Sequence, residues 1–179
     1  NETYLSFSMD HNGERFILSS LTDGSYNAKI YDFNTVTESF DETYTYDDLD
    51  SSASVSINGN GTFWAIGTTD NSSVTIYNKN VQEQVITNTD STYSLFGKQV
   101  YLNSAGNIIT ICDSTNVHTY SRNRISDSIS QNTSWDFSPI IYQLTENTIT
   151  STSFSISNDG YFFGYKDSDD VVIKSLNLT

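Results

Sequence analysis

Residues 99–112 read Gln99-Val100-Tyr101-Leu102-Asn103-Ser104-Ala105-Gly106-Asn107-Ile108-Ile109-Thr110-Ile111-Cys112. Val100 and Leu102 stand six and four residues before Gly106, and Ile109 and Ile111 stand three and five after it. Apolar residues at a period of two on both sides of a turn describe a β-hairpin with one buried face. The same spacing recurs around three other glycines: Phe7/Met9 and Phe16/Leu18 about Gly13, Val55/Ile57 and Trp64/Ile66 about Gly61, Phe154/Ile156 and Phe163/Tyr165 about Gly160. Four copies at intervals of about 45 to 55 residues describe the blades of a propeller.

Each repeat continues past its hairpin into a third strand and a weaker fourth. The first predicts strands over 4–9, 15–20, 28–33 and 38–46, and the second over 54–57, 63–67, 73–77 and 84–87. The third predicts 99–102, 108–112 and 116–120 with a less regular outer strand, and the fourth 153–156, 161–165 and 171–176. The blades accordingly span 4–50, 51–97, 98–150 and 151–179, the last without an outer strand. This is an all-β, β-propeller-like repeat domain with four visible blades, either whole or a segment of a larger propeller or repetitive assembly. The chain opens on Asn1 rather than a methionine, which fits a processed product or a piece of something longer. An unpaired strand edge at the fourth blade is a template for strand addition.

Composition narrows the function classes. The 179 residues carry 22 acidic and 8 basic side chains, a formal charge of −14. Nucleic acid binding depends on cationic side chains that displace counterions, so DNA and RNA are poor partners. An anionic membrane surface repels such a chain, and no apolar run reaches the length of a membrane span. The 13% aromatic content argues against disorder. Ser, Thr and Asn make up about 38% of the residues, well above ordinary usage. Five N-x-S/T sequons follow, at Asn1, Asn60, Asn71, Asn132 and Asn177. Asn60 and Asn71 fall in predicted turns and Asn132 in a long loop, where glycosylation is accessible. Together with the acidic charge they lean toward an extracellular or cell-surface setting. The lone Cys112 offers no intrachain disulfide to confirm it and reads as a buried thiol.

The third repeat opens on Phe96-Gly97-Lys98-Gln99-Val100-Tyr101-Leu102 and reaches its turn at Gly106. This resembles the FG-GAP repeat of integrin-α-type β-propellers, F-G-x-S-V-x-L-S-x-D-G, with Phe96, Gly97, Val100, Leu102 and Gly106 in register. Asn103 and Ala105 depart from the pattern's Ser and Asp. The fourth repeat supplies the other half as Ser157-Asn158-Asp159-Gly160, with Thr150 and Ser151 in place of the F-G pair. The resemblance implies an extracellular adhesion or interaction module. Such blades often hold calcium in a loop of the form D-x-D-x-D-G-x-x-D. Here no matching turn offers three carboxylates in sequence, so calcium sites are not carried over and no cofactor is expected, calcium being the one alternative.

Candidate chemistry is sparse. Asp167, Asp169 and Asp170 crowd one turn at a spacing that invites a divalent metal, although Asp-rich turns arise for backbone reasons alone. The acidic run Glu38, Asp41, Glu42, Asp47, Asp48 and Asp50 reads as a solvated outer strand and loop, with a weak cation site as the alternative. His11 falls in a turn and His118 on a third strand, without a convergent catalytic set. No G-x-S-x-G, H-E-x-x-H or P-loop motif is present. The long connection 121–152 reads either as a decorated approach to an outer strand at 139–144 or as a partner-contact loop anchored by Trp135 and Phe137. Tyr31, Tyr77 and Tyr120 recur at equivalent third-strand positions and predict stacking between blades. The leading expectation is a non-enzymatic structural or adhesive module that meets other copies of itself, neighbouring protein or carbohydrate through its termini and edge strand. A polysaccharide-acting propeller enzyme and an intracellular scaffold propeller are the alternatives.

Overall fold

The computed structural model describes residues 2–88, 94–122, 140–143, 154–167 and 170–175. They form fifteen strands and no helix. The first sheet holds β1 (Glu2–Met9), β2 (Arg15–Thr22), β3 (Ser25–Asn34) and β4 (Ser39–Leu49). The second holds β5 (Ala53–Ile57), β6 (Phe63–Thr68), β7 (Ser73–Asn78) and β8 (Val81–Thr87). The third holds β9 (Gln99–Leu102), β10 (Ile108–Cys112), β11 (Asn116–Ser121) and β12 (Ile140–Gln143), and the fourth β13 (Phe154–Ile156), β14 (Phe162–Asp167) and β15 (Asp170–Ser175). Every sheet is an antiparallel meander in chain order, the arrangement of propeller blades.

The expected hairpins form in the expected register: Ile109 faces Leu102 and Ile111 faces Val100, while Trp64 faces Ile57 and Phe163 faces Ile156. The outer strand expected near 139–144 is present as β12, paired to β11 with His118 opposite Ile141. The acidic run lies along β4 and its flanking turns, with Glu42 paired to Lys29 at 3.1 Å.

The turn between the first two strands of each blade is built the same way. Its glycine sits in the left-handed region, with φ of 70° at Gly13 and 67° at Gly106, where other residues are strained. Three residues earlier stands a side-chain acceptor that caps the turn's own amides. Asn103 Oδ1 accepts from the Asn107 and Ile108 amides, each at 3.0 Å. Asp10, Asn58 and Ser157 do the same in their blades. These oxygens are engaged by backbone donors, which accounts for the choice of Asp, Asn or Ser there.

The core lies between blades. Blade 1 gives Ile17, Ala28 and Ile30 against Val55, Ile57, Trp64 and Ile66 of blade 2. Blade 2 gives Phe63, Ala65, Val74 and Ile76 against Val100, Leu102, Ile109 and Ile111 of blade 3, with Phe96 buried among them. Blade 3 gives Cys112 and Val117 against Phe154, Phe163 and Tyr165 of blade 4. Trp64 is core, and its Nε1 donates to the Tyr46 hydroxyl at 2.9 Å. The tyrosine series differs from expectation at one member. Tyr77 contacts Tyr46 across the first junction and Tyr120 joins the second, whereas Tyr31 stacks on Phe16 of its own blade, with ring centroids 4.7 Å apart. Tyr31 lies on the one hairpin face that no preceding blade covers.

Candidate functional site

Alternation along a strand gives each blade two faces. One carries the residues that define the repeat, six and four before the glycine and three and five after it. In blades 2, 3 and 4 that face packs on the preceding blade. In blade 1 it is open: Phe7 is 55% exposed and Met9 is exposed beside it. Phe7, Phe16, Tyr31, Phe40 and Phe33 form a continuous aromatic chain across this open sheet.

The opposite face is carried on the third strand by Ala28 and Ile30 in blade 1, Val74 and Ile76 in blade 2, Val117 and Thr119 in blade 3, all buried. Pairing places Val171 and Ile173 at those positions in blade 4, since Ile173 faces Gly164 as Ile30 faces Ile17 and Ile76 faces Ala65. Val171 is 77% exposed and Ile173 70% exposed. With Phe162 and Ser155 they line an open groove on the fourth sheet. The arc therefore ends in two apolar sheet faces, one of each kind.

Two polar layers accompany the junctions, one at all three and one at the first two. Along the turns, the residue two before each glycine bonds to its counterpart in the next blade. The His11 amide donates to the Gly59 carbonyl at 3.0 Å, Gly59 to Ser104 at 3.0 Å, and Ser104 to Asn158 at 2.9 Å. One step deeper, a serine hydroxyl accepts from the next blade's first strand: Ser8 Oγ from the Ile57 amide at 3.1 Å, Ser56 Oγ from the Leu102 amide at 2.9 Å. Ser155 holds that position in blade 4 and is exposed.

Polar side chains tie the turns and blades together. Arg15 forms a two-pronged pair with Asp32 and donates from Nη1 to the Gly61 carbonyl at 2.8 Å, tying blade 1 to the turn of blade 2. That guanidinium holds the Asp32 carboxyl below its ordinary range. Arg122 donates to the Gly106 carbonyl and to Glu83, and its guanidinium lies 4.1 Å from the Phe63 ring. His118 Nε2 lies 2.7 Å from Asp113 Oδ2, both residues buried. Burial raises the Asp113 carboxyl, but His118, the Thr115 and Asn116 amides and the Asn116 side chain outweigh it and hold the group below the ordinary range. Cys112 beside it is fully buried, and burial pushes its thiol far up, so it is no thiolate nucleophile.

Of the residues singled out by sequence, Asn60 and Asn71 stand exposed on turns. Asn60 accepts from Thr62 through Oδ1, and Asn71 bonds through Nδ2 to Asp50. Asp167 and Asp170 face each other across the β14–β15 hairpin, and among the described residues no three His, Cys, Asp or Glu side chains converge on a metal position. Asn1, Asn132, Asn177, Trp135, Phe137 and Asp169 lie outside the described residues. Sequence reasoning missed the Asp113–His118 pair, although Asp113 directly follows an apolar strand and His118 sits early on the next. It missed the open faces too, because their residues are the same as those of covered ones.

No protein-family profile and no curated protein matches the chain. Solved structures do match over nearly its whole length. The chain is similar to the Dos1 propeller at 15% identity and a TM-score of 0.62, covering 97% of this chain and 41% of that one. It is similar to a protein of Bacteroides uniformis provisionally assigned as a 6-phosphogluconolactonase, at 13% identity and a TM-score of 0.64, covering 99% and 52%. The dihydro-heme d1 dehydrogenase NirN aligns at 10% identity and a TM-score of 0.62, covering 96% and 34%. The protein is a β-propeller-like all-β chain, and it spans about half or less of these structures. They perform unlike tasks on one architecture, so the likeness carries fold alone.

Proposed function

We propose that this chain is a non-enzymatic, surface-displayed interaction module of the FG-GAP kind, working as one arc of a larger blade assembly. One observation carries the reading: the apolar template face that is buried at three junctions stands open on blade 1, across Phe7, Met9 and Phe16. Isolated soluble domains seldom expose contiguous apolar area of this kind unless something binds there. The buried polar side chains supply a second support. Arg122, Asp113 and His118 are buried and engaged by turns and by one another.

Display outside the cell draws support from the acidic surface and from the two exposed sequons. Asn60 uses Oδ1 for its internal bonds, so its Nδ2, the atom a glycan attaches to, is not used by those bonds. The test is secretion from a glycosylating eukaryotic cell followed by N-glycosidase treatment. A mass shift that Asn60→Gln reduces is the expected result. A secreted chain with bare asparagines would overturn surface display as a glycoprotein.

A further inference from the structure

We infer that the chain associates head to tail with a second copy of itself, the open face of blade 4 in each copy docking on the open face of blade 1 in the other, so that two copies close an eight-blade ring. The inference rests on reading the chain as an interaction module and names the partner of its open faces.

The internal junctions show what such a face receives. At three of them the repeat-defining face is covered by the opposite face of the blade before it. The open face of blade 1 carries the same kind of residues at the same register, so its fitting cover is a sheet presenting apolar third-strand residues at the positions of Ile30 and Ile76. Blade 4 presents such a sheet, with Val171 and Ile173 exposed at those positions. The chain holds both halves of one junction at opposite ends of its arc.

The polar layers extend in the same sense. The amide series from His11 through Gly59 and Ser104 to Asn158 leaves the Asn158 amide and the His11 carbonyl as its two ends. Docking blade 4 on blade 1 of another copy aligns them. It also brings Ser155 to the Met9 amide, the counterpart of Ser8 on Ile57 and Ser56 on Leu102. Three independent layers thus continue across one contact in one direction.

Closure follows from number. Heterologous contacts form rings when the rotation closes and filaments when it does not. The chain spans 52% of the length of the Bacteroides uniformis structure, so two copies match that structure in length. Eight blades fall within the range that propellers adopt.

Sedimentation velocity of residues 1–179 at micromolar concentration tests this. The expected result is a discrete species of twice the chain mass. Phe7→Glu and Ile173→Glu lie on opposite faces and are exposed in the single chain, so each variant keeps its circular dichroism spectrum. Each raises the dissociation constant at least about 100-fold, because every junction then buries an unpaired charge. Mixing the two variants restores association, since one junction then has both natural faces. Val81→Glu, at the exposed start of β8 in blade 2, belongs to neither terminal blade and leaves the dimer unchanged.

A wild-type monomer at all concentrations overturns the inference and leaves further blades outside residues 1–179 as the cover. An open-ended polymer overturns closure. Variants that dimerise as the wild type does, or mixtures that stay monomeric, overturn the head-to-tail contact. The glycan assay reads display and sedimentation reads the partner, so either proposal can fail alone.

Discussion

Ile30 and Ile173 hold the same register position in the first and fourth blades, yet Ile30 is 1% exposed and Ile173 70%. Ile30→Ala removes methyl groups from the packed junction with Trp64 and Val55, and truncations of this kind cost about 2–5 kcal/mol. Ile173→Ala in the single chain removes little packing, and exposed substitutions stay within about 0.5 kcal/mol. Urea unfolding under dilute conditions compares the two. Equal losses would mean that Ile173 is covered within its own chain.

Asn103 does for its turn what no backbone group can. Its Oδ1 accepts from the Asn107 and Ile108 amides while its Nδ2 reaches the Asp159 carbonyl of the next blade at 3.0 Å. Asn103→Ala leaves those amides without their acceptor in a buried turn, a loss of about 1–3 kcal/mol. Asn103→Asp keeps the two acceptor bonds and loses the two that Nδ2 donates, to Asn107 Oδ1 at 2.8 Å and to the Asp159 carbonyl, so the Ile108 amide stays protected in that variant. Hydrogen exchange at the Ile108 amide reads the effect directly. Unchanged protection in the alanine variant would sink the capping role.

Gly67 is required for space rather than for backbone freedom. A Cβ there would stand 2.4 Å from the Gly97 carbonyl oxygen and 2.8 Å from Val100 Cγ1. That carbonyl also accepts from Ser54 Oγ at 3.1 Å. Gly67→Ala is therefore an overpacking change at the junction of blades 2 and 3, costing about 1–3 kcal/mol. Moving the carbonyl breaks the serine bond, so Ser54→Ala costs less in the Gly67→Ala background than alone. A double-mutant cycle in denaturant measures the coupling, and strict additivity would refute the shared carbonyl.

The strands were legible because period two and a glycine turn are local signals. The predicted spans of β9 and β10 coincide with the structure, and the other hairpins differ by a residue or two at their ends. Phe96-Gly97 stood out as a motif, but its physical role, a phenylalanine buried at a junction and a glycine pressed against Gly67, was not read from it. The pairs across long separations were not legible. Arg122 meets Glu83 39 residues away, and nothing local marks either as buried. The open faces were hidden for a different reason. Phe7 and Val55 obey one pattern, and only the placement of blades in space reveals that Val55 has a neighbour to cover it and Phe7 does not. The serine staples were invisible in a chain so rich in serine.

The Asp113–His118 pair sets a pH dependence whose sign follows from the direction of the carboxyl's shift. Asp113 titrates below its ordinary value of 3.8 in the folded chain. The unfolded chain therefore takes up this proton first, and stability falls as the pH drops below about 4. The contribution is fully present at neutral pH and is lost progressively as the pH falls through the lowered folded value. Asp32, lowered by Arg15, adds to the same acid limb, so the difference between wild type and Asp113→Asn isolates one group. The variant loses about 1–3 kcal/mol at pH 7 because the buried donors lose their charged acceptor. Its deficit then shrinks as the pH falls through the lowered folded value, where the wild type loses the same contribution. Stability curves from guanidinium titrations at pH 7, 4 and 2 measure this. A deficit that stays constant across that range would show that the carboxylate's charge contributes nothing to the fold.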